Sequence, residues 1–330
     1  MSTIITGNVV SLSDIFSPVN PLLERVEEIM LAQTRNQHPD LAAALGQILS
    51  SGGKRVRPAI ALLSGLMFNA DEEKLTTLSA ALELLHTATL VHDDLIDGSL
   101  LRRGIATLNS QWSSAATVLT GDFIFARAAV LAAQANSVEV MRIFSETLAT
   151  IVNGEISQLF DRNGLADQAN YLKRIYAKTA SLFESATSAA VVLSSAPAND
   201  VTKMRSFGYY IGMAFQIVDD VLDFSGLEET VGKPVGSDLR QGLITLPTIY
   251  YLEACPDDPD IELILRNGDE SKAAVDRIIQ AVREKGGLDK SMRDARQYIE
   301  QGIAFLAEYP DNQYKQALVD LANYIISRQL

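Results

Sequence analysis

The sequence predicts an all-α protein built as a single large helical bundle, on three observations. Apolar residues recur at helical spacing in nearly every segment, the breaks between segments are short, and two acidic clusters beginning at Asp93 and Asp219 lie 126 residues apart. The periodicity predicts helices over 22–35, 40–50, 59–68, 74–97, 114–134, 137–160, 168–195, 199–225, 243–254, 272–285, 288–308 and 313–328, and no alternating run marks a strand. Gly and Pro punctuate only at short breaks, such as Gly52-Gly53, Gly98-Ser99 and Pro256 to Pro259. None is long enough for an interdomain linker. If both acidic clusters serve one site, two distant helices must converge, which favours one domain with side chains projecting inward from a bundle. The expected organisation is an N-terminal extension over 1–21 and a helical domain over 22–330.

Composition bounds the function. The chain has 330 residues, and its 47% apolar and 21% charged content fits a globular protein with a sizeable core. Twenty-eight basic against 41 acidic side chains give a net charge of −13, which repels phosphate backbones and argues against nucleic-acid binding. Any phosphate site must therefore be local. The single cysteine, Cys255, excludes an internal disulfide, and three histidines are few for a histidine metal site. No signal or Arg-rich transit pattern precedes Arg25, and no run approaches the roughly 18 apolar residues of a membrane span. A cytoplasmic location is expected.

The chemistry is carried by the acidic clusters and the cations around them. In VHDDLIDG, Asp93 and Asp97 are four positions apart, so both carboxylates share one helix face, while Asp94 points about 100° away. In QIVDDVLDF, Asp219 and Asp223 repeat that spacing, with Gln216 three residues before Asp219. A lone DDxxD string is more often a solvated helix face. Two copies, each embedded in apolar sequence, reverse that reading. Paired carboxylates repel, and Mg²⁺ commonly joins one or two such groups to substrate phosphates. Cations suited to phosphate follow in GGKRVRP at 52–58, where Lys54 offers a point charge and Arg57 a fork, with Pro58 expected at the first position of the next helix. Arg102-Arg103 directly follows the first cluster. His86, seven residues before Asp93, falls on nearly the same stripe, whereas His92 reads as a core histidine.

These elements, with GDFIFA at 121–126, GEISQ at 154–158, KTASLF at 178–183, GKPVGSDLRQG at 232–242 and TLP at 245–247, occur in an order that resembles the trans-isoprenyl (polyprenyl) diphosphate synthases, from about Leu22 to the C-terminus. The resemblance implies a central cavity with the acidic motifs facing each other, a homodimer, and condensation of isopentenyl diphosphate with an allylic diphosphate. It implies that Lys54, Arg57, His86 and Arg103 hold isopentenyl diphosphate, and that Arg102, Lys178, Thr179, Gln216 and Lys233 surround the allylic substrate. Asp93, Asp97, Asp219 and Asp223 would be the Mg²⁺ ligands, with Asp94 and Asp220 assisting and Asp223 acting directly or through water. Asp93, Asp97, Arg102, Lys178, Asp219 and Lys233 would be catalytic, and Thr179, Gln216 and Gln158 would offer dipoles to the cation. The family often has an acidic residue where this chain has Gly98-Ser99.

Ala88 and Thr89, five and four positions before Asp93, would border the growing tail by the same analogy. Their small side chains match the longer-chain synthases, so the expected product exceeds C20, with geranylgeranyl diphosphate as the alternative. Phe123, Phe125 and Phe144 are candidate deeper stops. Release of so apolar a product implies transient membrane contact. Two readings from other classes are a non-catalytic partner subunit of a heteromeric synthase, which typically lacks an acidic motif, and a class I terpene cyclase, which has no use for an isopentenyl site.

Overall fold

The computed structural model describes residues 11–50, 52–102, 104–160, 167–225, 235–261 and 272–328. Its helices follow the predicted order. A short α1 (Leu12–Phe16) and a 3-10 turn lead to α2 (Asn20–Ala32), α3 (Pro39–Ser50), α4 (Val56–Met67) and α5 (Glu72–Ile96). A two-residue hairpin, Leu101–Arg102 against Ile105–Ala106, precedes α6 (Leu108–Gln111), α7 (Ser114–Gln134) and α8 (Val138–Phe160). The helix expected over 168–195 is α9 (Gln168–Ile175), a π-turn at Tyr176–Ala180, and α10 (Ser181–Val192). Then come α11 (Ala198–Ser225), α12 (Ser237–Arg240), α13 (Leu246–Ala254), α14 (Lys272–Glu284), α15 (Gly287–Ala304) and α16 (Gln313–Ser327).

Two long helices position the site. α5 starts where the Asp71 side chain accepts from the Lys74 N–H, with Glu72 and Glu73 favourably placed in its first turn. It lies lengthwise on α7 and also meets α4 and α2. α11 buries Met204, Phe207, Ile211, Ile217, Val218 and Val221 between α10 and α15. A Cβ at Gly208 or Gly212 would run into the backbone of α10 or the π-turn, so glycine permits that approach.

Four local findings differ from the sequence reading. Gly104 turns the 101–106 hairpin at φ +77°, and its strands are too short to show alternation. Pro58 is the third residue of α4, where its missing N–H still falls among the unpaired donors of the first turn. Ile15, Phe16 and Val19, within the segment set apart as an extension, are buried in the same core. Among the described residues α7 is long and apolar enough to cross a membrane, at mean hydropathy 1.5; its apolar residues are interrupted by Asp122 and Arg127, and it packs along α5.

Candidate active site

Both acidic clusters sit in the last turns of their helices, and neither last turn contains a basic residue. Carboxylates at the carbonyl end of a helix oppose the macrodipole, so the local field at each cluster favours a cation.

A cavity of about 550 Å³ opens between them. Its wall includes Lys54 from the loop before α4, Arg57 from the first turn of α4, His86 and Asp94 from α5, Arg102 from the hairpin, Asp219 from α11 and Arg328 after α16. The fold therefore brings Lys54, Arg57, His86, Arg102 and Asp219 into one space. Arg103 and Lys233 lie outside the described residues.

The loop before α4 is held in an unusual conformation. Arg55 takes a left-handed φ of +47°, costly for a residue with a Cβ. Its guanidinium repays this by donating to Glu27 of α2 at 3.0 Å, Glu83 of α5 at 3.1 Å and the Leu49 carbonyl of α3 at 3.0 Å. All three cations in GGKRVRP line the cavity, and Arg55 in addition clamps the scaffold.

The first cluster divides its carboxylates. Asp94 accepts a fork from Arg102, with the guanidinium Nε 2.9 Å from both oxygens. Asp93 lies 3.5 Å from the Lys178 ammonium, which is 3.1 Å from Glu155 of α8. Burial, with Glu155 and Asp97 adding negative charge, outweighs Lys178 and pushes the Asp93 carboxyl up to about 6. Burial opposes the Lys178 charge, yet Asp93 and Glu155 hold that ammonium above its ordinary value. Asp97 is exposed at the C-cap.

The second cluster is tied more tightly. Asp219 accepts from Arg328 at 2.8 Å, and the Arg328 guanidinium also lies 4.3 Å from the centre of the Phe215 ring. Burial raises the Asp219 carboxyl while Arg328 opposes the rise. Asp220 accepts from the Tyr171 hydroxyl and from the Gln216 amide, each at 2.7 Å. Burial and the charge of Asp238 push its carboxyl up to about 8, against those two donors. Asp223 accepts from the Ser237 N–H and hydroxyl on one oxygen and from the Asp238 N–H on the other, capping α12. The return of the chain at 235–238 brings these three donors onto it.

The π-turn carries Lys178 toward Asp93 and Thr179 toward Gln216, whose carbonyl accepts from the Thr179 hydroxyl at 2.6 Å. A π-turn inserts an extra residue into the helical register and so re-aims neighbouring side chains. Ala88 is fully buried, and the half-buried Thr89 returns its hydroxyl to the His86 carbonyl at 2.7 Å. His92 is structural, 3.2 Å from the Val118 carbonyl and against Gly121.

The donor set fits Mg²⁺. It offers hard oxygens only, and Asp93, Asp97 and Glu155 crowd like charges that a divalent cation would relieve. Among the described residues no three such groups converge as a ready-made metal cage. A metal here would complete its shell from phosphate and water, as Mg²⁺ characteristically does.

Three functional groups escaped the sequence reading. Arg328 stands in no recognisable pattern for this role, and Glu155 lies within GEISQ, an element quoted above without a role for that residue. Tyr171 had a signal, since it precedes Lys178 by seven residues, two turns on one helical stripe.

An all-helical bundle whose two carboxylate-bearing helix ends face a cation-lined cavity defines the class, an isoprenoid-synthase-type enzyme that handles diphosphates. The polyprenyl synthetase family model matches residues 38–282. The chain is 34% identical to the octaprenyl diphosphate synthase of Haemophilus influenzae over 325 residues, 97% of this chain and 98% of the relative. It is 36% identical to heptaprenyl diphosphate synthase component 2 of Geobacillus stearothermophilus, over 96% of this chain and 99% of that one. A crystal structure of a polyprenyl synthase from Caulobacter crescentus, complexed with calcium and isoprenyl diphosphate, superposes with a TM-score of 0.92 at 32% identity, covering 98% of this chain and 100% of that one. The chain belongs to the polyprenyl synthetase family and is a prenyltransferase of the trans-polyprenyl diphosphate synthase type.

Proposed function

We propose that this enzyme condenses isopentenyl diphosphate with an allylic diphosphate into an all-trans polyprenyl diphosphate longer than C20. The observation that carries the reading is the cavity in which Lys54, Arg57, His86 and Arg102 face Asp219, beside the Asp93–Lys178–Glu155 cluster. Lys54, Arg57 and His86, with Arg103, hold isopentenyl diphosphate. Arg102, Lys178, Thr179 and Gln216, with Lys233, surround the allylic substrate. Asp93, Asp97 and Asp219 hold Mg²⁺, with Asp223 contributing through water, and the bound metal supplies positive charge to the leaving diphosphate.

Lys178 and Arg102 orient that diphosphate while the allylic C1–O bond breaks and its electron pair leaves with the diphosphate. Gln216 and Thr179 turn dipoles toward the resulting cation. The double-bond electrons of isopentenyl diphosphate then form the new C–C bond to C1. The proton lost from isopentenyl C2 passes to the released diphosphate, restoring the alkene.

A homodimer is supported by exposed apolar side chains on adjacent helices, Val118, Leu119 and Val130 of α7 with Val152, Ile156 and Phe160 of α8. We place the enzyme in the cytoplasm, with transient membrane contact for product release. A relative named as a component makes a heteromeric assembly the alternative, and turnover by the purified chain alone decides between them.

The test of function is incubation with isopentenyl diphosphate, farnesyl diphosphate and Mg²⁺ followed by sizing of the products. Products beyond C20 are expected, and accumulation at C20 would instead make it a geranylgeranyl diphosphate synthase. Ala88→Phe should shorten the product, with overpacking costing about 1–3 kcal/mol of stability in the melt. An unchanged length would remove Ala88 from the tail pocket.

A further inference from the structure

Resting on the reaction proposed above, we propose that Tyr171 and Asp220 are positioning residues that aim the side-chain carbonyl of Gln216 at the place where the allylic cation forms. One hydrogen-bonded chain joins three elements. The Tyr171 hydroxyl of α9 donates to Asp220 Oδ2 at 2.7 Å, Gln216 Nε2 of α11 donates to Asp220 Oδ1 at 2.7 Å, and the Thr179 hydroxyl of the π-turn donates to Gln216 Oε1 at 2.6 Å. Tyr171 is 1% exposed and Asp220 3%, and neither lines the cavity.

The direction of this chain has a chemical consequence. A carboxylate only accepts, so an amide that meets it must present its NH₂ group. Asp220 therefore turns the Gln216 carbonyl the opposite way, toward Thr179, whose neighbour Lys178 reaches Asp93. The negative end of the amide dipole then points toward the π-turn that carries Lys178, which the reaction proposed above assigns to the allylic diphosphate, where positive charge develops when the C–O bond breaks. A flipped amide would present its positive end there. A proton held between Oδ2 and Tyr171 leaves this unchanged, because Oδ1 still accepts from Gln216.

Tyr171 supplies what Asp220 lacks by itself. The carboxyl torsion is broad, so an unpinned Asp220 would swing and loosen the amide it orients. With Oδ2 held by a rigid buried phenol, the dipole is set before reaction and needs no reorganisation during it, the condition under which such groups are most effective. Asp220 thus differs from Asp219, its neighbour in the same acidic motif. Asp219 faces the cavity, whereas Asp220 acts on the chemistry through Gln216.

The test is a double-mutant cycle on the full-length enzyme with Tyr171→Phe, Gln216→Leu and both together, reading kcat and KM for each diphosphate alongside thermal melts. Tyr171→Phe should lower kcat about tenfold, less than the full loss of a preorganised dipole, with both KM values nearly unchanged. In the Gln216→Leu background the same change should cost no more than about twofold, because its route of action is gone. Equal losses in the two backgrounds, or a change confined to KM, would overturn the proposal. Should Tyr171→Phe fail to fold, Asp220→Asn keeps the shape, and its amide can donate to Gln216 and flip it. The cycle of Asp220→Asn with Gln216→Leu then carries the same decision. A wild-type enzyme that turns over while the cycle is additive sinks the positioning role alone; an inert wild type sinks the reaction and the proposal together.

Discussion

The two acidic clusters share one spacing and one position, the last turns of a long helix, yet the fold uses them differently. In the first, Asp94 is forked to Arg102, Asp93 must share Lys178 with Glu155, and Asp97 is exposed at the cap. Burial raises the Asp93 carboxyl, and Glu155 and Asp97 add to the rise against the shared Lys178. In the second, every carboxylate has its own donor: Arg328 on Asp219, Tyr171 and Gln216 on Asp220, Ser237 and Asp238 on Asp223. The same spacing therefore leaves the carboxylates of one cluster sharing their cations and ties those of the other to separate donors, and the surroundings decide which.

Breaking the first cluster should cost most. Asp93→Asn should reduce kcat roughly a thousandfold, several kcal/mol of charge stabilisation at 1.36 kcal/mol per factor of ten, with Mg²⁺ affinity weakened in calorimetry. Asp219→Asn should cost about a hundredfold, since one cavity-facing carboxylate and the seat of Arg328 are lost together. If Asp219→Asn proved worse than Asp93→Asn, the comparison would be inverted. Asp223→Asn should act on the scaffold. It leaves one cap donor unpaired, costing about 1–3 kcal/mol locally, visible as faster amide exchange at Ser237 and Asp238 with kcat falling less than for either other variant.

The smallest effect is in pH. Asp93 titrates at about 6 in the folded protein, above its ordinary value of 3.8, so the folded state binds its proton more tightly than the unfolded chain does. Its contribution is present below 3.8 and lost as pH rises to about 6. Metal-free melts should show that slope in wild type and lack it in Asp93→Asn, and Mg²⁺ affinity should weaken as pH falls below about 6. A slope of equal size in both proteins would show that Asp93 is not the strained group.

Much of this was legible in the chain. The pairs Asp93/Asp97 and Asp219/Asp223 follow from spacing on a helix, and the basic strings at 52–58 and 102–103 mark themselves by composition. Arg55 shows where legibility ends. Its string suggests a phosphate ligand like its neighbours, but a left-handed backbone and three partners on three helices turn it into the scaffold. Likewise the π-turn at Tyr176–Ala180 is hidden in an unbroken helical pattern, because one inserted residue scarcely disturbs the apolar period.

The sequence by itself determined the helical class, the order of the elements and the two places where carboxylates gather, since each depends on interactions within a turn or two of chain. Only the tertiary structure decided what each carboxylate does. Arg328 reaches Asp219 across 109 positions and Tyr171 reaches Asp220 across 49. The choice of a hydrogen-bond partner in a buried place depends on which donors packing delivers there, and periodicity carries no record of that.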